Sequence, residues 1–289
     1  MTWRSVKECR ETLSNWAVQA LVEEAELAPK PGLVDPEDTG SHSDLTFDLM
    51  VSSANSLRET FGLITEVSYL REPDQRLREE IADIGREGEK NMMQATGGTN
   101  THKGAIWVLG LLTSSAALNK PGVGIKGTIQ TASKIACYPD RYAPITTTNG
   151  SRIYENFGVK GARGEAESGY PHLINIALPM LKESRSKGLS EPLARLETLV
   201  SLIAHLDDTC ILHRGGLPAL EIAKVMAHAV LQNGGVSTLK GWRKLEELNE
   251  TLLERNASPG GSADLLAATI FLDKITKKDY LNKKAMSTI

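Results

Sequence analysis

Cysteine is almost absent from the 289-residue chain: Cys9, Cys137 and Cys210 are scattered, odd in number and without paired spacing. That excludes a disulfide framework or a cysteine-based metal cluster, and a reducing, cytoplasmic setting is expected. Positive charge is not in excess. The 33 Lys and Arg residues against 36 Asp and Glu leave a formal net charge of -3, so no global basic field is available for nucleic acid. Any polyanion must be met by a local cluster. Long hydrophobic runs are missing as well. The longest, Ala105 to Leu118, is broken by Gly110, Thr113, Ser114 and Ser115 and is too short to cross a bilayer. The N-terminal stretch MTWRSVKECRETLSNW mixes charges throughout and lacks the apolar core of a signal peptide.

Helical periodicity is present nearly everywhere. Leu13, Trp16, Ala20, Val22 and Ala25 give a rough stripe that Pro29 and Pro31 stop, and Leu77, Ile81, Ile84, Gly88 and Met92 form a second stripe ending near Gly97. Ala105 to Leu118 is apolar all round, as in a helix at the centre of a bundle. Leu193 to Leu206, Leu217 to Leu231 and Leu265 to Ile275 continue the pattern, the last begun by Ser262 or Asp264. The only strand signal, Ile145 to Thr148, is short and isolated. The expectation is an all-α single domain over residues 1–289.

The joints between these helices combine glycines with charged groups. They read PKPGLVDPEDTGSHSD, ATGGTNTHKG, NFGVKGARGEAESGYPH, LDDTCILHRGG and SPGGSAD. Helix caps and breakers explain the Gly, Pro, Ser and Asp, but not also His102, Lys103, Arg163, Glu165, His213 and Arg214. In ATGGTNTHKG, Gly97 and Gly98 let backbone approach a ligand, and Asn100, Thr101, His102 and Lys103 crowd donors into a helix start. That pattern is expected of an anion site, although Gly97 also serves as a plain helix stop. No Walker pattern is present.

Two acidic patches stand out. A step of four along Leu196, Val200 and Ile203 reaches Asp207, which is expected to point inward. A buried carboxylate needs a cation or strong donors, and Asp207 and Asp208 are candidates to hold Mg²⁺, Arg214 or a helix N-terminus being the other partners. Glu23, Glu24 and Glu26 lie where the macrodipole of the first helix disfavours them. They form either a solvated face or, through Glu26, Lys30 and Asp35, a wall of the cavity that His42 and Asp44 also face.

Taken in order, APKPGLVD (28–35), TGSHSD (39–44), ATGGTNTHKGAIW (95–107), GARGEAESGYPH (161–172), LDDTCILHRGG (206–216) and SPGGSADLLAAT (258–269) resemble the blocks of the triphosphoribosyl-dephospho-CoA synthase family. Thr99 stands where a valine is expected and Ala28 where threonine is common. The resemblance implies an enzyme that joins ATP to 3′-dephospho-CoA, releases adenine and makes the precursor of an acyl-carrier prosthetic group. IGREGEKNMM, LDDTCILHRGG and SPGGSADLLAATIFLD are more similar to the malonate decarboxylase branch than to the citrate lyase branch.

Under that resemblance the transition state is similar to an oxocarbenium ion flanked by a carboxylate. Lys103, Arg163, Arg214 and Mg²⁺ on Asp207 or Asp208 are expected to anchor the triphosphate, with Lys30, Asp44, Gly97, Gly98, Asn100, Thr101, His213 and Ser262 completing the substrate site. Glu26, Asp35 or Glu165 is the expected acceptor of the hydroxyl proton, and His102 or His42 the donor to adenine. An all-α Mg²⁺-dependent nucleotide hydrolase and a non-catalytic nucleotide-binding subunit are the alternatives. A homo-oligomer is compatible with the apolar faces.

Overall fold

The stripe Leu13, Ala17, Leu21 and Ala25 recurs at steps of four and is buried along one face of the first helix, α1 (Val6–Ala25). Ser5 caps its start by accepting from the Glu8 N–H. A long connection then leads to two short helices, α2 (Phe47–Ser56) and α3 (Arg58–Ser68), and to α4 (Gln75–Ala95), capped by Asp74. Helix α4 stops as the glycines dictate. Gly97 has φ of 65°, and the Gly98 N–H reaches back to Met93 O at 2.7 Å, closing a Schellman turn.

The next helix, α5 (Lys103–Leu118), is buried along most of its length and packs against α1, α3 and α4. It is the central helix that apolar residues on every face predict. The chain continues through α6 (Gly124–Ala136), α7 (Asn149–Phe157), α8 (Gly161–Glu167), a π turn at Leu173–Ala177, α9 (Leu178–Ser186) and α10 (Glu191–His205). Then come α11 (Thr209–Gln232), α12 (Leu239–Glu254) and α13 (Gly260–Met286). Helix α11 is kinked at Gly216, whose φ of 68° and ψ of -170° only glycine tolerates, and Pro218 prevents the ladder from closing across the kink.

The computed structural model describes residues 3–119, 123–144 and 149–286, with side chains to residue 276. Among them no strand occurs, and the Ile145–Thr148 run lies outside them. One apolar cluster runs from Trp3 and α1 through α5 to Leu272 of α13, so the all-α reading holds. No helix of the described residues is long and apolar enough to cross a membrane.

Candidate active site

Several helices begin at the same place. The first turns of α5, α7, α11 and α13, with the short α8, open onto one cavity of about 1640 Å³ through Lys103 and Gly104, Asn149 and Gly150, Thr209 and Cys210, Gly260, and Gly161 to Gly164. The positive ends of these helix dipoles therefore face a common space, while Asn100, Asp208 and Asp264 accept from N–H groups of the first turns. The joints that the sequence marks as unusual are in large part these helix starts.

The cavity has a cationic side. Lys103, Lys160, Arg163 and Arg214 all line it. Lys103 Nζ pairs with Glu89 at 2.9 Å, and Arg163 Nε with Glu167 at 2.7 Å. Asn100 Oδ1 accepts from the Lys103 N–H at 3.2 Å, so it shapes the helix start as well as lining the space. Arg214 donates through Nη1 to Ser41 O at 2.8 Å and through Nη2 to His42 Nδ1, also at 2.8 Å. With Nδ1 accepting, the His42 proton sits on Nε2, which donates to Ser258 Oγ at 2.9 Å. Burial, and then the Arg214 charge, lower the His42 pKa to about 4, with Asp44 opposing. His42 is therefore a neutral link between two joints.

A second group of lining residues contains acids. Lys30 and Glu24 form a salt bridge of 2.7 Å with side chains 1% and 4% exposed, and Lys30 Nζ also donates to Glu24 O. His102 stands nearby. Its Nδ1 bonds Ser53 Oγ at 2.7 Å, while Nε2 is buried without a hydrogen-bond partner. Burial and the Lys30 charge lower its pKa to about 3, so it too is neutral. The third member is Asp264, one turn into α13. Burial, then the charges of Asp208 and Glu24, push its carboxyl well above the usual carboxylate range, and only the Ala105 N–H opposes this.

Of the residues expected from sequence, the structure gathers Lys30, His42, Asp44, Asn100, Thr101, His102, Lys103, Arg163, His213 and Arg214 around this cavity. The others lie elsewhere, each for a local reason. Glu26 is the exposed C-cap of α1, whereas Glu24, three residues beyond Leu21 on the buried face, turns inward. Asp35 closes its own turn, accepting from the Lys30, Glu37 and Asp38 N–H groups. Glu165 is bound to His172 through the backbone N–H at 2.8 Å and Nδ1 at 2.7 Å. Gly97 and Gly98 end α4 through their positive φ and the bond to Met93 O, and neither lines this cavity.

Asp207 does not point inward. Helix α10 ends at His205 and Leu206 is extended at ψ of 136°, which breaks the helical register. The Asp207 side chain is 58% exposed and pairs with Lys224 at 2.7 Å. Asp208 is the buried one. It caps α11 through the Cys210 N–H at 2.9 Å and accepts from the Gly261 N–H, the Ser262 N–H and Ser262 Oγ at 2.8 to 3.2 Å. Ser262 thus serves Asp208, not the cavity. These two carboxylates do not fit a shared Mg²⁺: one is at the surface with a lysine, and both oxygens of the other are taken by protein donors.

Sequence reasoning passes over Glu24, Trp107, Ser258 and the cavity-facing role of Asp264. Extending the Leu13–Leu21 stripe by three is the signal that identifies Glu24. Trp107 is held by a bond from Nε1 to Ala162 O at 3.2 Å and by the Arg78 guanidinium 4.9 Å above its ring.

The family described as CitG: ATP:dephospho-CoA triphosphoribosyl transferase matches residues 10–283. The chain is 45% identical to the 2-(5''-triphosphoribosyl)-3'-dephosphocoenzyme-A synthase of Klebsiella pneumoniae over 91% of its own length and 94% of that protein's. Two similar proteins, each named a probable enzyme of this kind, come from Pseudomonas fluorescens strain Pf-5, at 45% identity over 95% of both chains, and Azotobacter vinelandii, at 46% over 92% and 91%. No solved structure matches. With the match covering nearly the whole chain and every joint that builds the cavity, the protein belongs to the CitG family of ATP:dephospho-CoA triphosphoribosyl transferases.

Proposed function

We propose that the chain transfers the triphosphoribosyl group of ATP to a hydroxyl of 3′-dephospho-CoA and releases adenine, giving 2′-(5″-triphosphoribosyl)-3′-dephospho-CoA. The observation that carries this reading is a single large cavity lined both by helix starts with cations and by carboxyl groups that include the buried Glu24. The first set suits a triphosphate that must be held but not cleaved. The second suits a sugar carbon that gains positive charge as its base departs. Lys103, Lys160, Arg163 and Arg214 anchor the phosphates. Mg²⁺ accompanies ATP as its counterion, bound by phosphate oxygens, and is part of the substrate.

His42 and His102 are neutral near pH 7, so they act there as hydrogen-bonding groups and not as proton donors. The product is the precursor of an acyl-carrier prosthetic group, and the motifs at 84–93, 206–216 and 258–273 favour the malonate decarboxylase branch.

Incubation of the protein with ATP, Mg²⁺ and 3′-dephospho-CoA, with chromatography for free adenine, tests the reaction. Adenine release that requires dephospho-CoA is the expected result. Phosphate release without dephospho-CoA identifies a nucleotide hydrolase instead, and no turnover identifies a binding subunit.

A further inference from the structure

Five carboxylates line the cavity: Glu24, Asp44, Glu89, Glu167 and Asp264. Three are held by cations, Glu24 by Lys30, Glu89 by Lys103 and Glu167 by Arg163. Asp44 is at the rim with its side chain 60% exposed, 3.8 Å from His42. Asp264 is half-buried and, unlike Glu24, Glu89 and Glu167, has no ion-pair partner among the described residues. Its place is built by two helices. A Cβ on Gly104 would lie 2.0 Å from Asp264 Oδ2, so the first turn of α5 leaves out a side chain where this carboxyl rests.

A second observation comes from the same start of α5, where His102, two residues before Gly104, also lines the cavity. His102 Nε2 is buried and unpartnered there, and a buried polar atom without a partner is costly unless something binds it.

Resting on the reaction proposed above, we infer that Asp264 is a catalytic residue, the general acid that protonates the departing adenine. The bond from ribose C1′ to the adenine nitrogen breaks with its electron pair on adenine, and the Asp264 proton goes to a ring nitrogen of the base. The attacking hydroxyl oxygen forms the new bond to C1′. Its proton returns the carboxylate to the acid form, so nothing is left over. The groups that face Asp264 support a protonated resting state: Glu24 from α1, Asp208 ahead of α11, the Cys210 thiol on α11 and the Ala105 N–H of α5. Of these only the Ala105 N–H favours the charged form. A neutral carboxyl is what a general acid requires.

The test compares ATP with its N7-methylated analogue, whose cationic base departs without taking a proton. Asp264→Asn should lower kcat with ATP by about 10²- to 10⁴-fold, the usual contribution of a general acid, while KM for ATP changes little. With N7-methyl-ATP the same variant should turn over within about tenfold of the wild type. Gly104→Ala, which displaces the carboxyl, should show the same loss and the same rescue. Wild-type-like turnover of Asp264→Asn with ATP overturns the assignment, and so does an equal loss with both nucleotides, which indicates a structural role. Should the wild type release no adenine from either nucleotide, it is the reaction itself that fails, and the role of Asp264 fails with it.

Discussion

A histidine beside a phosphate site invites a role in proton transfer, but in this chain the surroundings decide otherwise. His42 and His102 titrate at about 4 and about 3, in both cases chiefly because burial penalises the charged ring and secondarily because Arg214 or Lys30 stands close. The consequence for stability has a definite sign. Both pKa values are depressed below the unfolded value of 6.5. Above pH 6.5 neither state is protonated and nothing is lost. As pH falls from 6.5 toward 4 the unfolded chain takes up protons that the folded chain refuses, so stability falls by about 1.4 kcal/mol per pH unit per histidine. Denaturant unfolding at pH 7 and pH 5 should therefore show a drop, offset in part by His172, whose pKa is raised by its hydrogen bond to Glu165 and which adds stability as pH falls. His102→Gln should make the drop clearly smaller, and a variant as sensitive as the wild type would disprove the attribution.

At the scale of elements, the aspartate pair between α10 and α11 shows where sequence reasoning works and where it stops. The stripes of α1, α4, α5 and α10 are legible because core packing selects one face at steps of three and four. The end of a stripe is not. One extended residue, Leu206, turns Asp207 outward and leaves Asp208 to cap α11 and to fasten the start of α13. Glu24 and Glu26 pose the same difficulty, because composition alone cannot tell the inward acid from the outward one on a final turn. The glycine turn at Gly97 was legible as either a helix stop or a cradle; positive φ at both glycines and the Gly98 N–H on Met93 O make the stop, and neither glycine lines the cavity. A direct comparison follows. Asp207→Asn should leave turnover and stability close to wild type, since an exposed pair with Lys224 is worth roughly 0 to 1 kcal/mol. Asp208→Ala should lower stability by about 2 to 4 kcal/mol, because three backbone N–H groups and the Ser262 hydroxyl lose their acceptor inside the protein. Circular-dichroism melts of the two variants distinguish them, and equal melting temperatures would refute the division of roles.

For the molecule as a whole, the net charge of -3 conceals a strongly local arrangement. Binding of a polyanion depends on the cavity wall, where helix starts supply their dipoles and Lys103, Lys160, Arg163 and Arg214 supply charge. If that wall holds the triphosphate, the phosphates and not the base should dominate binding. ATP at one hundred times its Kd stabilises the folded state by about 2.7 kcal/mol, whereas adenosine at the same concentration should leave the melting temperature nearly unchanged. Lys160 and Arg163 bracket the start of α8 and their side chains reach the cavity without lying in its buried core. Replacing both with alanine should leave the fold unaltered while weakening ATP binding by roughly 10- to 100-fold, about 1.4 kcal/mol for each lost charge-assisted contact. Thermal-shift titrations with ATP, ADP, AMP and adenosine measure this directly. A wild-type shift that is as large for adenosine as for ATP would mean that the base, and not the triphosphate, sets the affinity, and the cationic wall would then need another ligand.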